Sequence, residues 1–169
     1  MKDIKWLYQD FNSYINRLKS NNKIEFYNNL KEWLKINSNS FHNQIKEETK
    51  LNHLLILDPK NYSTEFSLQN VKQCISHVSY FKNFTNNDQL LKFITSILVG
   101  LIIYNIDKKC PNCFEGETFE AWFDENEKKV VLLCEICGND ENHKINVSDK
   151  NIIPATLLQV KEAGLLNEP

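Results

Sequence analysis

Two pairs of cysteines constrain the fold of this chain more than any other feature of its sequence. The segments Cys110–Cys113 and Cys134–Cys137 each place two residues between their cysteines, and the 20 residues 114–133 separate the two pairs. This is the spacing of a zinc site with four thiolate ligands, in which each pair occupies a tight turn whose backbone N–H groups can donate to sulfur. The sequence therefore predicts a zinc ion held by Cys110, Cys113, Cys134 and Cys137.

The residues between the two pairs have the composition of a β-hairpin. Residues 117–123 are rich in Thr, Phe and Trp, residues 124–128 are turn-like, and residues 129–133 are mostly Val and Leu. Such runs on either side of a polar turn predict two antiparallel strands. A hairpin with cysteine turns at its base resembles a zinc ribbon, and the resemblance covers about residues 108–147. It implies a bound metal and a local fold but no particular activity, because ribbons occur in nucleic-acid-binding, protein-binding and purely structural settings.

Four cysteine ligands would fill every coordination position of a tetrahedral zinc ion. A catalytic zinc keeps one position open and usually has a His or carboxylate ligand, so the expected role is structural. Two alternatives stay open, in which His143 replaces one cysteine or the cysteines form disulfides. The fifth cysteine, Cys74, stands alone, and this cysteine usage suits a reducing compartment. Since the first residues also lack the apolar run of a secretory leader, we expect a cytoplasmic protein.

Apolar residues recur at three- and four-residue steps through the first hundred residues, which predicts helices. Five are expected, at about residues 3–19, 23–36, 41–57, 67–81 and 88–103. Ser40 and Ser67 are the predicted N-caps of the third and fourth helices. A short final helix is expected to begin at Pro154 and to end before Gly164, with the leucines at 165 and 166 packing back. The predicted class is α+β, mostly helical with a small C-terminal zinc-ribbon hairpin.

The predicted organisation is one compact unit in three parts. A helical domain covers residues 1–107, the ribbon covers 108–147 with a possible third strand at 144–147, and a C-terminal helix or tail covers 148–169. Because the ribbon directly follows the most apolar helix, we expect it to dock there through the strand face of Phe119, Ala121 and Phe123. The apolar segment 93–106 has 14 residues, against about 20 for a membrane span, so no membrane association is expected.

Charge is divided unevenly along the chain. Residues 1–109 carry 15 Lys and Arg against 10 Asp and Glu, whereas residues 110–169 carry 5 against 12. Phosphate binding depends on Lys and Arg, so the acidic ribbon suits a basic protein partner better than nucleic acid. The open alternative is a solvated acidic surface that keeps the protein in solution. Lysines in the predicted second helix alternate with glutamates, a pattern typical of a solvated helix face.

Known catalytic motifs are absent from the sequence. It has no glycine-rich phosphate loop, no H-E-x-x-H motif and no G-x-S-x-G motif, and it contains four glycines in all. Cys74 and His77 lie one helical turn apart and could form a nucleophile pair, although a buried thiol beside a surface histidine explains the same spacing. The sequence therefore predicts that the protein is not an enzyme.

An acidic-ended chain of this size without catalytic motifs resembles the immunity proteins with which bacteria neutralise imported toxins. The resemblance implies a cytoplasmic inhibitor of a basic toxin. We expect the ribbon to present Trp122 as an aromatic anchor inside an acidic rim. The expected rim residues are Glu120, Asp124, Glu125 and Glu127. Two other classes stay open: a nucleic-acid-binding or transcription-associated ribbon protein, and an enzyme with an unrecognised site.

Overall fold

The computed structural model describes residues 3–18, 22–62, 84–140 and 151–166. These residues contain six α-helices and a four-stranded antiparallel sheet, which confirms the predicted α+β class. The chain divides into two compact units. The helical unit comprises Met1–Pro59 and Phe66–Leu101, and the sheet unit comprises Lys60–Glu65 and Ile102–Pro169.

The helical unit is built from amphipathic helices, and side chains cap the N-termini of the first two. The Asp3 carboxylate accepts from the N–H groups that open α1, and the Asn22 side chain does the same for α2. The helices are α1 Ile4–Arg17, α2 Lys23–Asn37, α3 Asn43–Glu48, α4 Leu51–Ile56 and α5 Asn87–Ile102, with short 3-10 helices at Ser38–Ser40 and Pro59–Asn61.

Large aromatic side chains form much of the helical core. The stripe predicted on α1 is buried at Leu7, Phe11 and Ile15. The rings of Phe11 and Trp33 meet edge to face, with centroids 5.1 Å apart. The indole N–H of Trp33 donates to Asp10 Oδ2 at 2.8 Å, so burying this ring leaves no unsatisfied donor.

The prediction of one continuous third helix is wrong. It is two short helices, α3 and α4, separated where Lys50 adopts a left-handed backbone with a φ of 52°. Ser40 lies in a 3-10 helix instead of capping α3, and His42 occupies the N-cap position. Apolar spacing alone did not reveal this break, because one residue with positive φ interrupts a helix without changing the pattern around it. The helix predicted at 67–81 lies outside the described residues.

The sheet unit contains strands β1 Tyr104–Asp107, β2 Thr118–Asp124, β3 Lys129–Cys134 and β4 Ile152–Pro154, followed by helix α6 Leu157–Glu162. The predicted hairpin is confirmed, since β2 and β3 pair antiparallel from Phe119 opposite Cys134 to Asp124 opposite Lys129. β1 and β4 share the other edge of β2, where β1 pairs with its first half and β4 with its second. The strand predicted at 144–147 lies outside the described residues.

The predicted start of the last helix is wrong. Pro154 ends β4, and α6 begins at Leu157 behind Thr156, whose hydroxyl forms a reciprocal capping box with Gln159. Proline fits a sheet edge as well as a first helical turn, so its presence did not decide between them. The helix ends before Gly164, which has a φ of 68°, and the following leucines pack against the sheet core as predicted.

The core of the sheet unit is small and includes two of the cysteines. Phe119 and Ala121 are fully buried while Glu120 and Trp122 are only partly so, which matches the predicted alternation on β2 as far as Trp122. Beyond it the alternation ends, because Phe123 is partly buried and Asp124 is buried. The docking of the ribbon on α5 stays a prediction. The buried cluster consists of Tyr104, Cys110, Phe119, Ala121, Leu132, Cys134, Ala155 and Val160.

Candidate metal centre

The four predicted ligands converge in the sheet unit. Cys110 Sγ lies 3.7 Å from Cys137 Sγ, Cys113 Sγ lies 3.8 Å from Cys134 Sγ, and all four sulfurs lie within 4.8 Å of one another. Four sulfurs placed tetrahedrally at a zinc–sulfur distance of about 2.3 Å are about 3.8 Å apart. The Cys110–Cys137 and Cys113–Cys134 separations match that value, and all four cysteines are free thiols. The cluster could therefore hold a metal ion.

The two cysteine turns share one backbone conformation. We call Cys110–Phe114 the first knuckle and Cys134–Gly138 the second knuckle. The last residue of each knuckle is left-handed, with a φ of 61° in the first and 67° in the second. In each knuckle this residue donates its N–H to the carbonyl of the first cysteine, at 3.1 Å and 2.9 Å respectively. Only the second knuckle has the glycine that this conformation favours.

Phe114 has a conformational cost that Gly138 does not. A left-handed backbone costs an ordinary residue roughly 1–2 kcal/mol. Burial of the ring does not offset this cost, because the Phe114 residue is 82% exposed. The first knuckle is therefore a strained turn that carries a solvent-facing aromatic ring.

Gly116 supports the centre and was missed by the sequence analysis. A Cβ placed on Gly116 would overlap Cys134 Sγ and would lie 3.4 Å from the Cβ of Cys110. The Gly116 carbonyl also accepts the N–H of Cys110 at 2.9 Å. The chain can approach the sulfur this closely only without a side chain. The one sequence signal was an isolated glycine shortly after the first cysteine pair.

Backbone hydrogen-bond donors lower the pKa of a cysteine thiol in this cluster, and burial raises it. The backbone N–H groups of Cys113 and Asn112 lower the pKa of Cys110 to about 7. Burial raises the pKa of Cys134 to about 11. Cysteine binds metal as the thiolate, and a buried thiolate without a compensating charge is unfavourable. A divalent cation that prefers thiolate ligands would supply that charge, so the four cysteines fit such an ion.

The predicted aromatic anchor is hydrogen-bonded within the sheet. The indole N–H of Trp122 donates to Glu120 Oε2 at 3.1 Å, and both residues are partly buried. Burial raises the pKa of Glu120. Asp124 is 2% exposed, and its Oδ1 accepts from the N–H groups of Asn126 and Glu127. Asp124 therefore orders the β2–β3 turn.

The exposed carboxylates near the metal centre belong to other residues. Glu115 and Glu117 follow the first knuckle and are exposed, and the exposed Glu135 lies inside the second. Glu135 Oε1 accepts from the N–H of Glu117 at 3.3 Å, which brings these residues together. Of the remaining predicted rim residues, Glu125 is partly buried, and Glu127 is exposed and paired with a lysine.

The other candidate chemical groups give no second cluster among the described residues. Cys74, His77 and the alternative ligand His143 lie outside the described residues. His42 Nδ1 lies 2.6 Å from Asp88 Oδ2, a pair that ties the start of α3 to the first turn of α5. In the described part of the chain, the four cysteines are the group that could bind a metal.

No family model, curated protein or solved structure matches the chain. The class of the site is therefore defined by its own geometry, which is that of a four-cysteine cluster compatible with a zinc-binding module. None of the helices in the described part of the chain has the length and apolar character needed to cross a membrane.

Proposed function

We propose that this chain is a non-enzymatic protein-binding module, stabilised by zinc, whose sheet unit docks a basic protein partner. The observation that carries the proposal is the cluster of four cysteine sulfurs, all within 4.8 Å of one another, in which two pairs lie 3.7 Å and 3.8 Å apart. Four thiolates would complete the coordination of zinc and leave no position for water or substrate, so the metal would be structural.

The cysteines would link the metal to folding. Cys110 and Cys134 are members of the buried cluster of the sheet unit, so the groups that bind zinc also fill the core. Zinc bound to four thiolates supplies a strong cross-link between two distant parts of the sequence. The knuckle backbones and Gly116 would hold the sulfurs in place for it.

The charge of the C-terminal part of the chain supports a basic partner. Residues 110–169 carry 5 Lys against 12 Asp and Glu, and four thiolates on a zinc ion add a formal charge of about −2. Opposite charge steers association and discriminates against wrong partners. A narrower form of the proposal is an immunity-type inhibitor of a basic toxin, which the resemblance of overall build and charge suggests.

The test first measures whether zinc is bound and then identifies the binding partner. Elemental analysis of purified protein should find about one zinc per chain. Affinity capture from the source cells, with and without nuclease, should retain a basic protein that survives nuclease treatment. Binding to that purified protein should weaken steeply as salt rises, because screening shortens the reach of surface charge. If the partner is a toxin, adding the chain should abolish its activity at equimolar ratio.

A matched pair of charge variants separates docking from simple solubility. Glu115→Gln with Glu117→Gln should weaken binding about tenfold, whereas Glu25→Gln with Glu47→Gln, an equal charge change in the helical unit, should leave it unchanged. Equal effects from both pairs would mean that the acidic surface acts only through net charge. Retention of polymerase, ribosome or nucleic acid that disappears with nuclease would favour the nucleic-acid-binding class instead.

A further inference from the structure

The first knuckle places an exposed aromatic side chain at a backbone conformation that bulky residues disfavour. Phe114 has a φ of 61° at the position that Gly138 occupies in the second knuckle. A bulky residue with a left-handed backbone is a structural outlier, and such outliers concentrate at functional sites. At 82% exposure, the residue gains little from contacts within its own chain. Burial within the chain therefore gives no physical reason for an aromatic ring at this position.

A second apolar residue lies at the same end of the sheet unit. Ile136, inside the second knuckle, is 58% exposed. Phe114 follows Cys113 and Ile136 precedes Cys137, and the sulfurs of those two cysteines belong to the cluster spanning 4.8 Å. Phe114 and Ile136 thus flank the metal centre, and we call them the knuckle pair. An exposed aromatic residue and an exposed aliphatic residue on two neighbouring turns have the character of a binding hot spot.

Carboxylates accompany the knuckle pair. Glu115 and Glu117 lie just after Phe114, and Glu135 directly precedes Ile136. All three are exposed, and the hydrogen bond from the Glu117 backbone N–H to Glu135 Oε1 places the Glu135 carboxylate beside the segment that follows the first knuckle. An apolar centre with a charged rim is the arrangement of a protein interface.

This charge narrows the choice of occupant. Nucleic acid and an anionic membrane surface both present phosphates, which the three carboxylates would repel. A second copy of the chain packed through the same surface would bring the same carboxylates together. A protein segment with Lys or Arg around an apolar side chain can pack that side chain against Phe114 and pair its charges with the three carboxylates.

We infer that the knuckle pair is the docking point for a protein segment in which apolar side chains are flanked by Lys or Arg. The inference rests on the proposed function and specifies where on the sheet unit the basic partner binds. Zinc would keep the two knuckles rigid, so that Phe114 and Ile136 meet the partner already in position.

The experiment uses the zinc-loaded full chain and short fluorescent peptides, with binding measured by anisotropy. One peptide carries a Leu-Leu centre flanked by lysines, a second replaces the leucines with serines, and a third replaces the lysines with glutamates. The first should bind about tenfold or more tightly than either of the others.

Two variants remove the ring without breaking the knuckle. Phe114→Gly and Phe114→Asn suit a left-handed backbone, so zinc content should stay at one per chain and the thermal midpoint should be unchanged or raised. Both should bind the first peptide about tenfold or more weakly. Ile56→Ser is the matched control, because Ile56 is 79% exposed on α4, and it should change nothing.

The outcomes separate this inference from the proposed function. If the Phe114 variants bind as well as wild type while Glu115→Gln with Glu117→Gln weakens binding, the knuckle pair is not the docking point and the basic-partner proposal stands. If the first and second peptides bind equally, the apolar centre does not contribute to binding, and the knuckle pair is again not the docking point. If no lysine peptide binds, the docking inference is overturned, and the capture experiment decides the proposed function separately.

Discussion

The helical unit and the sheet unit are stabilised by different means. The largest fully buried residues of the helical unit include Trp33, Tyr27, Phe11 and Phe26, a core rich in apolar area. The buried cluster of the sheet unit has eight members, of which two are alanines and two are cysteines of the candidate metal centre. Small cores need a metal or cross-links to be stable. The comparison teaches that the helical unit can rely on apolar burial, whereas we expect the sheet unit to depend on a bound metal.

The largest expected effect comes from removing the metal. Structural zinc in small modules contributes on the order of 10–16 kcal/mol of apparent binding free energy, which is also folding free energy. Chelation or Cys134→Ser should therefore unfold the sheet unit and abolish partner binding, while the helical unit keeps its helical circular dichroism. Hydrogen exchange with mass spectrometry should show lost protection in β2 and β3. Cys74→Ser is the control and should leave zinc content unchanged. A zinc-free chain with protected sheet amides would refute the comparison.

The complementary change removes a core ring from the helical unit. Phe11 is 1% exposed and packs against Trp33, so Phe11→Ala should destabilise this unit by about 3–5 kcal/mol. Zinc stoichiometry should not change, because Phe11 belongs to the other unit. Thermal unfolding followed by circular dichroism measures the loss. Trp6→Ala, at a residue 47% exposed, should cost much less; equal losses would argue against a core role for Phe11.

A methyl group at Gly116 should weaken the metal centre specifically. The added Cβ would overlap Cys134 Sγ, and overpacking of this kind costs about 1–3 kcal/mol. Zinc affinity, measured by competition with a chelator, should fall about 10–100-fold. Gly100→Ala is the matched control, since its Cβ meets nothing within 4 Å and lies in α5. That substitution should leave zinc affinity unchanged and stabilise the helix by about 1 kcal/mol. Unaltered zinc affinity in Gly116→Ala would contradict the close approach.

The smallest effect is a pH dependence at Glu120. Burial raises its pKa above the ordinary value of 4.5, so the ionised carboxylate is disfavoured in the folded chain. The stability contributed by the protonated form is present below the unfolded pKa and is lost as pH rises through the folded pKa. Glu120→Gln keeps an acceptor for Trp122 and should raise the thermal midpoint at neutral pH. This gain should shrink towards pH 4.5. Zinc release affects both proteins, so their difference isolates Glu120. A gain independent of pH would exclude the charge as its cause.

Some parts of the fold were readable from local patterns. Helices α1 and α2 and the β2–β3 hairpin follow from apolar periodicity, which a strand or helix imposes on neighbouring residues. The start of α6 was misplaced, because Pro154 suits a strand edge as well as a first helical turn. The division of the third helix at Lys50 was also missed, since a single backbone angle leaves no periodic signal.

The sequence by itself determined which four cysteines form the candidate metal centre, because two C-x-x-C pairs encode both the ligand chemistry and the local turns. Only the tertiary structure decided that Gly116 lies against Cys134 Sγ, a contact between segments 18 residues apart. It also decided that β1 and β4 share one edge of β2, and that the carboxylate of Glu135 accepts from the segment after the first knuckle. These features depend on which distant segments meet, and distance along a chain does not specify distance in space.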